Sequence, residues 1–407
     1  MRQLKILKIT WRTPKYIQKL FSAYGSVETD NYETLRNFVY SDLMGTSDAW
    51  GDGLRRLGYD ALDIPIGIPA LDFAWWREFG SGGPPPKGAQ ITQSILQYHN
   101  PDILIVEGIE NFSPEKLNKI REWLPRLKCL VGTSGNEITY PEIYNTLDVF
   151  ISNRPTLVDA AKATGVPALF LSHGFDDRVN TIIGSMKKSR AIVFTGLIHS
   201  GEKYHERRLE ILEEISREIG LDVFTDSSLK LLPALREYLF KLGAYHVAHT
   251  WSLIGLSVDH SPVGRKLRTA LSWSRPPRLN WSRELSGKVH PGVYGLDMFR
   301  VVGSALVAIN VQPGNSDGSA TNMRMFEAAG VGTCLITDAS ADLANYYSED
   351  EMVTFTSASE AVSMAREFLH NPEMAIAIGK KAQSRTLAEH TYAKRMVEFI
   401  AFLKQYL

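Results

Sequence analysis

Cysteine is nearly missing from this 407-residue chain, which has only Cys129 and Cys334. They stand far apart in apolar runs, so neither a disulfide framework nor a thiolate metal site is in prospect, and buried thiols in a reducing compartment are expected. An excess of one charge is missing too. Lys+Arg and Asp+Glu both number 45, so no global field draws the chain to nucleic acid. No apolar run reaches the roughly 18 residues that a spanning helix needs. The first ten residues mix lysines into their apolar stretch and offer no small-residue cleavage site, which points to a cytoplasmic, non-spanning protein. An Asp-x-Asp triplet, internal repeats, a coiled coil and low-complexity tracts are all lacking. What is present is a composition 44% hydrophobic and 10% aromatic, too rich in core formers for disorder. The length exceeds what one core usually fills and favours two domains.

Short, near-continuously apolar runs alternate with helical patterns, the signature of parallel sheets covered on both faces. In the first half these are Leu4 to Trp11, Ala61 to Ile66, Asp102 to Val106, Cys129 to Gly132, Asp148 to Ser152 and Ala168 to Leu171. One helix is expected to open on a Thr156 to Asp159 capping box. The alternation restarts at Ala191 and continues through Leu221 to Phe224, Ala305 to Val311, Thr333 to Thr337 and Met352 to Phe355. Ser359 to Leu407 reads as three helices broken at Asn371-Pro372 and His390-Thr391. The expected architecture is α/β, with two facing, doubly wound Rossmann-like domains. Residues 1–176, joined by a returning helix at about 390–407, form the first domain, and 177–389 form the second. Ligands of such sheets bind beyond the carboxyl ends of the strands.

Residues 227–290 fit neither sheet. They hold ten Lys/Arg against three acids, about +7, with Trp251, Trp273 and Trp281 interleaved. This reads as a basic helical insert in the second domain. Three uses are open: a solvated basic surface, a site for a phosphorylated or lipid-linked acceptor, or peripheral contact with anionic membrane. The recurrence of Leu229, Leu232, Leu235 and Leu239 suggests that one face of its first helix is buried. His246 and His249 have the spacing of a helical metal pair, but no third ligand stands at a telling distance, and a polar stripe is the better reading.

Chemistry concentrates between Ala305 and Asp338, a strand, a polar glycine loop, a helix and another strand. Ser319 or Thr321 is expected to cap that helix, turning its positive end toward a phosphate. Arg324 adds a cation, and Glu327 is placed either to bind two ribose hydroxyls or simply to pair with Arg324 at i, i+3. Candidate general bases at the carboxyl ends of first-half strands are Glu107, Glu110, Glu137 and His173.

The string Thr321-Asn-Met-Arg-Met-Phe-Glu-Ala-Ala-Gly-Val-Gly, followed by Leu-Ile-Thr-Asp, resembles the donor-site signature of CgeB-like glycosyltransferases, relatives of the large group with the two-domain GT-B fold. Val293-Tyr-Gly-Leu-Asp-Met-Phe, Ala308-Ile309-Asn310, Phe194-Thr-Gly-Leu-Ile with His205-Glu-Arg-Arg, and His390-Thr-Tyr-Ala-Lys-Arg are similar to its other boxes. The resemblance spans about residues 190–407. It implies an enzyme that moves a sugar from a nucleoside diphosphate to a hydroxyl of a glycan or lipid-linked acceptor, as in polysaccharide biosynthesis. Gly196, either Arg207 or Arg208, Thr321, Asn322 and Arg324 would meet the diphosphate, Glu327 the ribose, and Tyr294 and Gly295 the base, with Asn310 also in the donor site. Ser319 stands where wider relatives have a glutamate on the transferred sugar. Lack of the Asp-x-Asp triplet leads us to expect no metal and no other cofactor, and the resemblance to a largely retaining group implies retention of configuration. Two alternatives remain: a nucleotide-sugar epimerase on the same scaffold, and a non-catalytic nucleotide- or glycan-binding protein.

Overall fold

The computed structural model describes residues 4–24, 29–198, 203–227, 231–255, 264–271, 273, 275–277, 279, 281–312, 319–320 and 322–407. Thr321, His199, His260 and Leu229 lie outside the described residues. The chain divides into two compact units: Met1–Ile182 with Tyr294–Leu296 and Thr386–Leu407, and Ile183–Val293 with Asp297–Arg385.

The first unit is built on a six-stranded sheet of β1 (Lys5–Thr10), β2 (Asp60–Pro65), β3 (Ile103–Glu107), β4 (Cys129–Thr133), β5 (Val149–Ser152) and β6 (Ala168–Phe170). Its order is β2-β1-β3-β4-β5-β6, and every pairing is parallel. Both faces are covered, which explains strands that read as unbroken apolar runs. Leu7, Leu104, Leu130 and Phe150 face one core. Ile6, Ile105, Val131 and Ile151 face the other, where helix Tyr392–Leu403 inserts Met396, Phe399 and Leu403. The expected capping box at Thr156 is not used: the helix begins at Pro155, with Arg154 at the N-cap and no side-chain cap. Proline at the first helical position fixes φ and gives up an N–H that has no partner there, so it sets the cap two residues earlier, at Arg154.

The second unit repeats the plan with β7 (Arg190–Thr195), β8 (Asp222–Thr225), β9 (Val289–Pro291), β10 (Ala305–Asn310), β11 (Cys334–Asp338) and β12 (Val353–Phe355). Its order, β12-β11-β10-β7-β8-β9, is the doubly wound Rossmann order, in which the first and fourth strands are neighbours and the chain reverses direction between them. All six residues of β10 are buried. The edge strand β9 escapes sequence reading because it is three residues, Val-His-Pro, too short for any period.

The basic segment forms the crossover from β8 to β9, with helices Leu231–Leu253 and Gly264–Leu271. They pack on each other through Ala248, Leu267 and Ala270. The face marked by Leu232, Leu235 and Leu239 is not buried: these side chains are 77%, 39% and 58% exposed. Small residues pack closer, and the inward face of this helix is its alanine face, Ala234 and Ala248. Among the described residues no helix is long and apolar enough to cross a membrane.

Candidate functional site

In the second unit the strand order places its switch point between β7 and β10, beyond Thr195 and Asn310. Gly196 follows β7 at φ +156°, where a Cβ would stand 3.2 Å from Phe194 Cζ. Asn310, buried at the end of β10, donates through Nδ2 to Thr337 Oγ1 (2.9 Å) and accepts from Asn322 Nδ2 (2.8 Å). Asn322 Oδ1 in turn accepts from the Arg324 amide at 2.9 Å and caps helix Met323–Gly330. The cap is therefore Asn322, not Ser319. Asn322 is the residue already anchored to β10, so its side chain is preset to take the amide of Arg324, the second residue of the helix. Ser319 is half-buried beside it.

Arg324 pairs with Glu327 and reaches Thr195 O through Nε at 3.4 Å. Glu327 is 4% exposed, and the i, i+3 pair with Arg324 is formed. A void of about 10 Å³ between β7, β10 and this helix borders both side chains, room for about one water. Arg208 is buried and gives its guanidinium to backbone carbonyls, Val311 O at 3.0 and 2.6 Å and Leu197 O at 2.7 Å. Burial lowers it to about 10, with Asp338 opposing and Arg324 reinforcing. It fixes the loops after β7 and β10 to each other. Arg207 is half-exposed, 3.1 Å from Asp338 Oδ1 and bonded to Thr356 O. Asp338, which closes β11, also accepts from the Gln312 amide at 2.7 Å, and burial pushes its carboxyl up. No role was read for Asp338 from sequence, although a strand-terminal acid was the available signal.

Tyr294 and Gly295 group with the first unit. Tyr294 lies 5.4 Å from the Tyr16 ring, and at Gly295, φ +47°, a Cβ would meet Asp42 O at 2.2 Å. Elsewhere in that unit a cavity of about 360 Å³ opens at the carboxyl ends of β3 to β6, and Glu107, Glu110, Ser134, Asn136, Asn153 and His173 all border it. Glu107 accepts from Thr46 Oγ1 at 3.2 Å and lies 3.1 Å from Lys8 Nζ. Lys8, 3% exposed on β1, also stands 3.7 Å from Asp63 and 5.2 Å from the Trp50 ring. Burial raises the Glu107 carboxyl, but Lys8, Arg12 and the hydrogen bonds outweigh it and hold it below its usual range. Asp63 has weaker compensation, and burial raises it to about 6. Lys8 and Asp63 lay unnoticed in sequence because an acid or lysine inside a strand carries no motif.

His173 is lowered to about 4, chiefly by burial, so its ring is neutral. Its Nε2 is 3.1 Å from Asn153 Nδ2; the amide can only donate, so Nε2 accepts and the ring proton sits on Nδ1. Glu110 accepts from Ser134 Oγ and Asn136 Nδ2, both at 2.7 Å. Glu137 is exposed on the loop after β4 and does not border the cavity. His249 Nδ1 turns to Tyr245 O, and among the described residues no three His, Cys, Asp or Glu side chains gather as metal ligands do.

Residues 260–401 match a family model described as glycosyl transferase-like. No curated protein matches the chain. Among solved structures, the chain is similar to HepE of Anabaena, crystallised with UDP-glucose, at 11% identity over 99% of this chain and 100% of that one, with a TM-score of 0.50. It is similar to sucrose-phosphate synthase of Thermosynechococcus elongatus at 10% identity over 99% of both chains, TM-score 0.51. A glycosyltransferase of Rickettsia africae aligns at 8% identity over 100% and 99%, TM-score 0.53. The likeness to these structures carries the fold, GT-B; on the family match, the chain is a glycosyltransferase.

Proposed function

We propose that this enzyme transfers a sugar from a nucleoside diphosphate, bound at the switch point of the second unit, to a hydroxyl of a glycan or lipid-linked acceptor bound in the cavity of the first. The observation that carries this reading is the Rossmann-order sheet with Gly196, the Asn310–Asn322 relay, Arg324 and Glu327 gathered where β7 and β10 part. In the reaction the bond from the anomeric carbon to the diphosphate oxygen breaks. The acceptor oxygen bonds to the same face of that carbon, and its proton passes to the departing phosphate. The protein's task is then to hold and neutralise the diphosphate, which fixed dipoles and cations do without reorganising. The helix end at Asn322 and Arg324 and the half-exposed Arg207 supply that field, which supports turnover without a metal.

Retention without a protein base is supported by the state of the three cavity-lining candidates, of which Glu110 has one oxygen accepting from Ser134 Oγ and the other from Asn136 Nδ2. A carboxylate held below its usual range, as at Glu107, is a poor base but a good acceptor for an incoming hydroxyl, so it orients the acceptor. The His173 Nε2 lone pair is already engaged by Asn153. Both cysteines are free and buried, which supports a reducing, cytoplasmic setting, and synthesis of a surface polysaccharide is the proposed context.

The test is thermal unfolding against uridine, guanosine, thymidine, adenosine and cytidine diphosphates. Uridine diphosphate comes first because HepE holds UDP-glucose. One base is expected to raise the transition; a ligand at 100 times its Kd stabilises by about 2.7 kcal/mol. Glu327→Ala should remove most of that rise while staying folded. A flat response to all five nucleotides would overturn the donor assignment.

A further inference from the structure

We infer that helix Leu231–Leu253 is a docking surface for an anionic lipid bilayer, on which the protein lies without crossing. The inference is independent of the donor and acceptor sites. The helix is amphipathic in the wrong sense for a globular protein. Its buried face is made of alanine, while its solvent face carries Leu232, Leu235 and Leu239 at intervals of three and four residues, and Leu253 fourteen residues later, close to a whole number of turns. Leu253 is 86% exposed and Ile254, just beyond it, 64%. Phe240 is exposed on the flank of the same face and borders a shallow recess that Arg236 also walls. Leu231, Leu232, Leu235, Leu239 and Phe240 thus form an exposed apolar cluster on the first turns of the helix, and Leu253 and Ile254 a second at its end, with Gly243, His246 and Thr250 on the same face between them. A cluster of large apolar side chains on a folded surface marks a place where something else sits.

Charge selects what that is. The segment holding these clusters has ten Lys/Arg against three acids. A second copy would bring two such surfaces together and repel, whereas a leaflet of acidic phospholipids offers acyl chains to the leucines and negative headgroups to the basic residues. The aromatic residues of the segment, Trp281 exposed among them, have the amphipathic rings that settle at headgroup depth. A nucleic acid would answer the charge but leave the leucines unmatched.

The experiment is flotation of the full chain with vesicles of phosphatidylcholine alone and of phosphatidylcholine mixed with phosphatidylglycerol. Binding to the mixed vesicles is expected, falling at least about tenfold on phosphatidylcholine alone or in raised salt. The double variant Leu232→Glu, Leu239→Glu is expected to stay at the bottom with its thermal transition unchanged. In the unaltered chain a photoactivatable phosphatidylglycerol should label the peptide around residues 231–254, which tests the assignment should that variant not fold. Failure to float with either vesicle, flotation of the double variant like its parent, or lipid labelling confined to other peptides would overturn it. So would a dimer in light scattering that the double variant abolishes without any vesicle binding, which would give the face to a second copy. Flotation displaced by added RNA at constant salt would assign the charge to nucleic acid and also overturn it.

Discussion

Glu107 and His173 border one cavity, yet they differ in what they can do with a proton, and the difference is set by neighbours far away in sequence. Lys8 arrives from β1 and Asn153 from the loop after β5. Asp72 has no such compensation: burial alone raises it to about 6. Its folded pKa lies above its unfolded value, so its contribution is most favourable below about pH 4 and is lost as the pH rises through 6. Asp72→Asn should therefore stabilise the protein at pH 7–8 by about 1 kcal/mol, allowing for partial exposure, and the gain should vanish by about pH 4. Urea midpoints across that range check it, and a pH-independent gain would refute the buried-charge account. Glu107, Glu110 and His173 were legible as strand-end residues. The groups that tune two of them were not, because a lone lysine in an apolar strand or an asparagine in a loop has no local pattern to read.

At the scale of elements, helix Leu231–Leu253 separates periodicity from burial. Its leucine spacing was plain in the sequence, and it assigned the wrong face to the core, because three-residue and four-residue spacing says which residues share a face but not what that face meets. Leu239→Ala should change stability by no more than about 0.5 kcal/mol, whereas Ala248→Leu should cost about 1–3 kcal/mol by overpacking the contact with Leu267 and Ala270. Denaturant titration distinguishes the two, and equal costs would mean that the faces are reversed. Helix Met323–Gly330 is the opposite case. Its existence was readable from the glycine loop before it and Gly330 after it, but its cap depends on Asn310, twelve residues earlier on another element. Asn322→Ala should cost about 1 kcal/mol and weaken diphosphate binding with it, as calorimetry on the variant would measure.

At the scale of the molecule, each sheet has a core on both faces, and one face of the first sheet is closed by the last helix of the chain. Trp50 meets Phe399 at 5.6 Å between ring centroids, and Met396, Phe399 and Leu403 are all fully buried. Each such side chain contributes about 1.5–3 kcal/mol, comparable in sum to the whole stability of a domain, about 5–15 kcal/mol. A chain ended at Glu389 should lose the cooperative unfolding of the first unit and bind a hydrophobic dye. A native transition in the truncated chain would show that the helix is dispensable.

The sequence by itself determined the two parallel sheets, save the short edge strand β9, the basic segment 227–290, and the stretch from Ala305 to Asp338 as the place where chemistry concentrates. Those are decided by local apolar runs and by turn and cap chemistry, which act over a few residues. Only the tertiary structure decided that Arg208 spends its charge on backbone carbonyls, that Glu327 is a buried partner of Arg324, that Lys8 holds Glu107 ionised, and that the leucines of the long helix face outward. Each of these depends on which distant segment supplies the neighbour, and burial, hydrogen bonding and pKa are properties of that neighbourhood rather than of the residue.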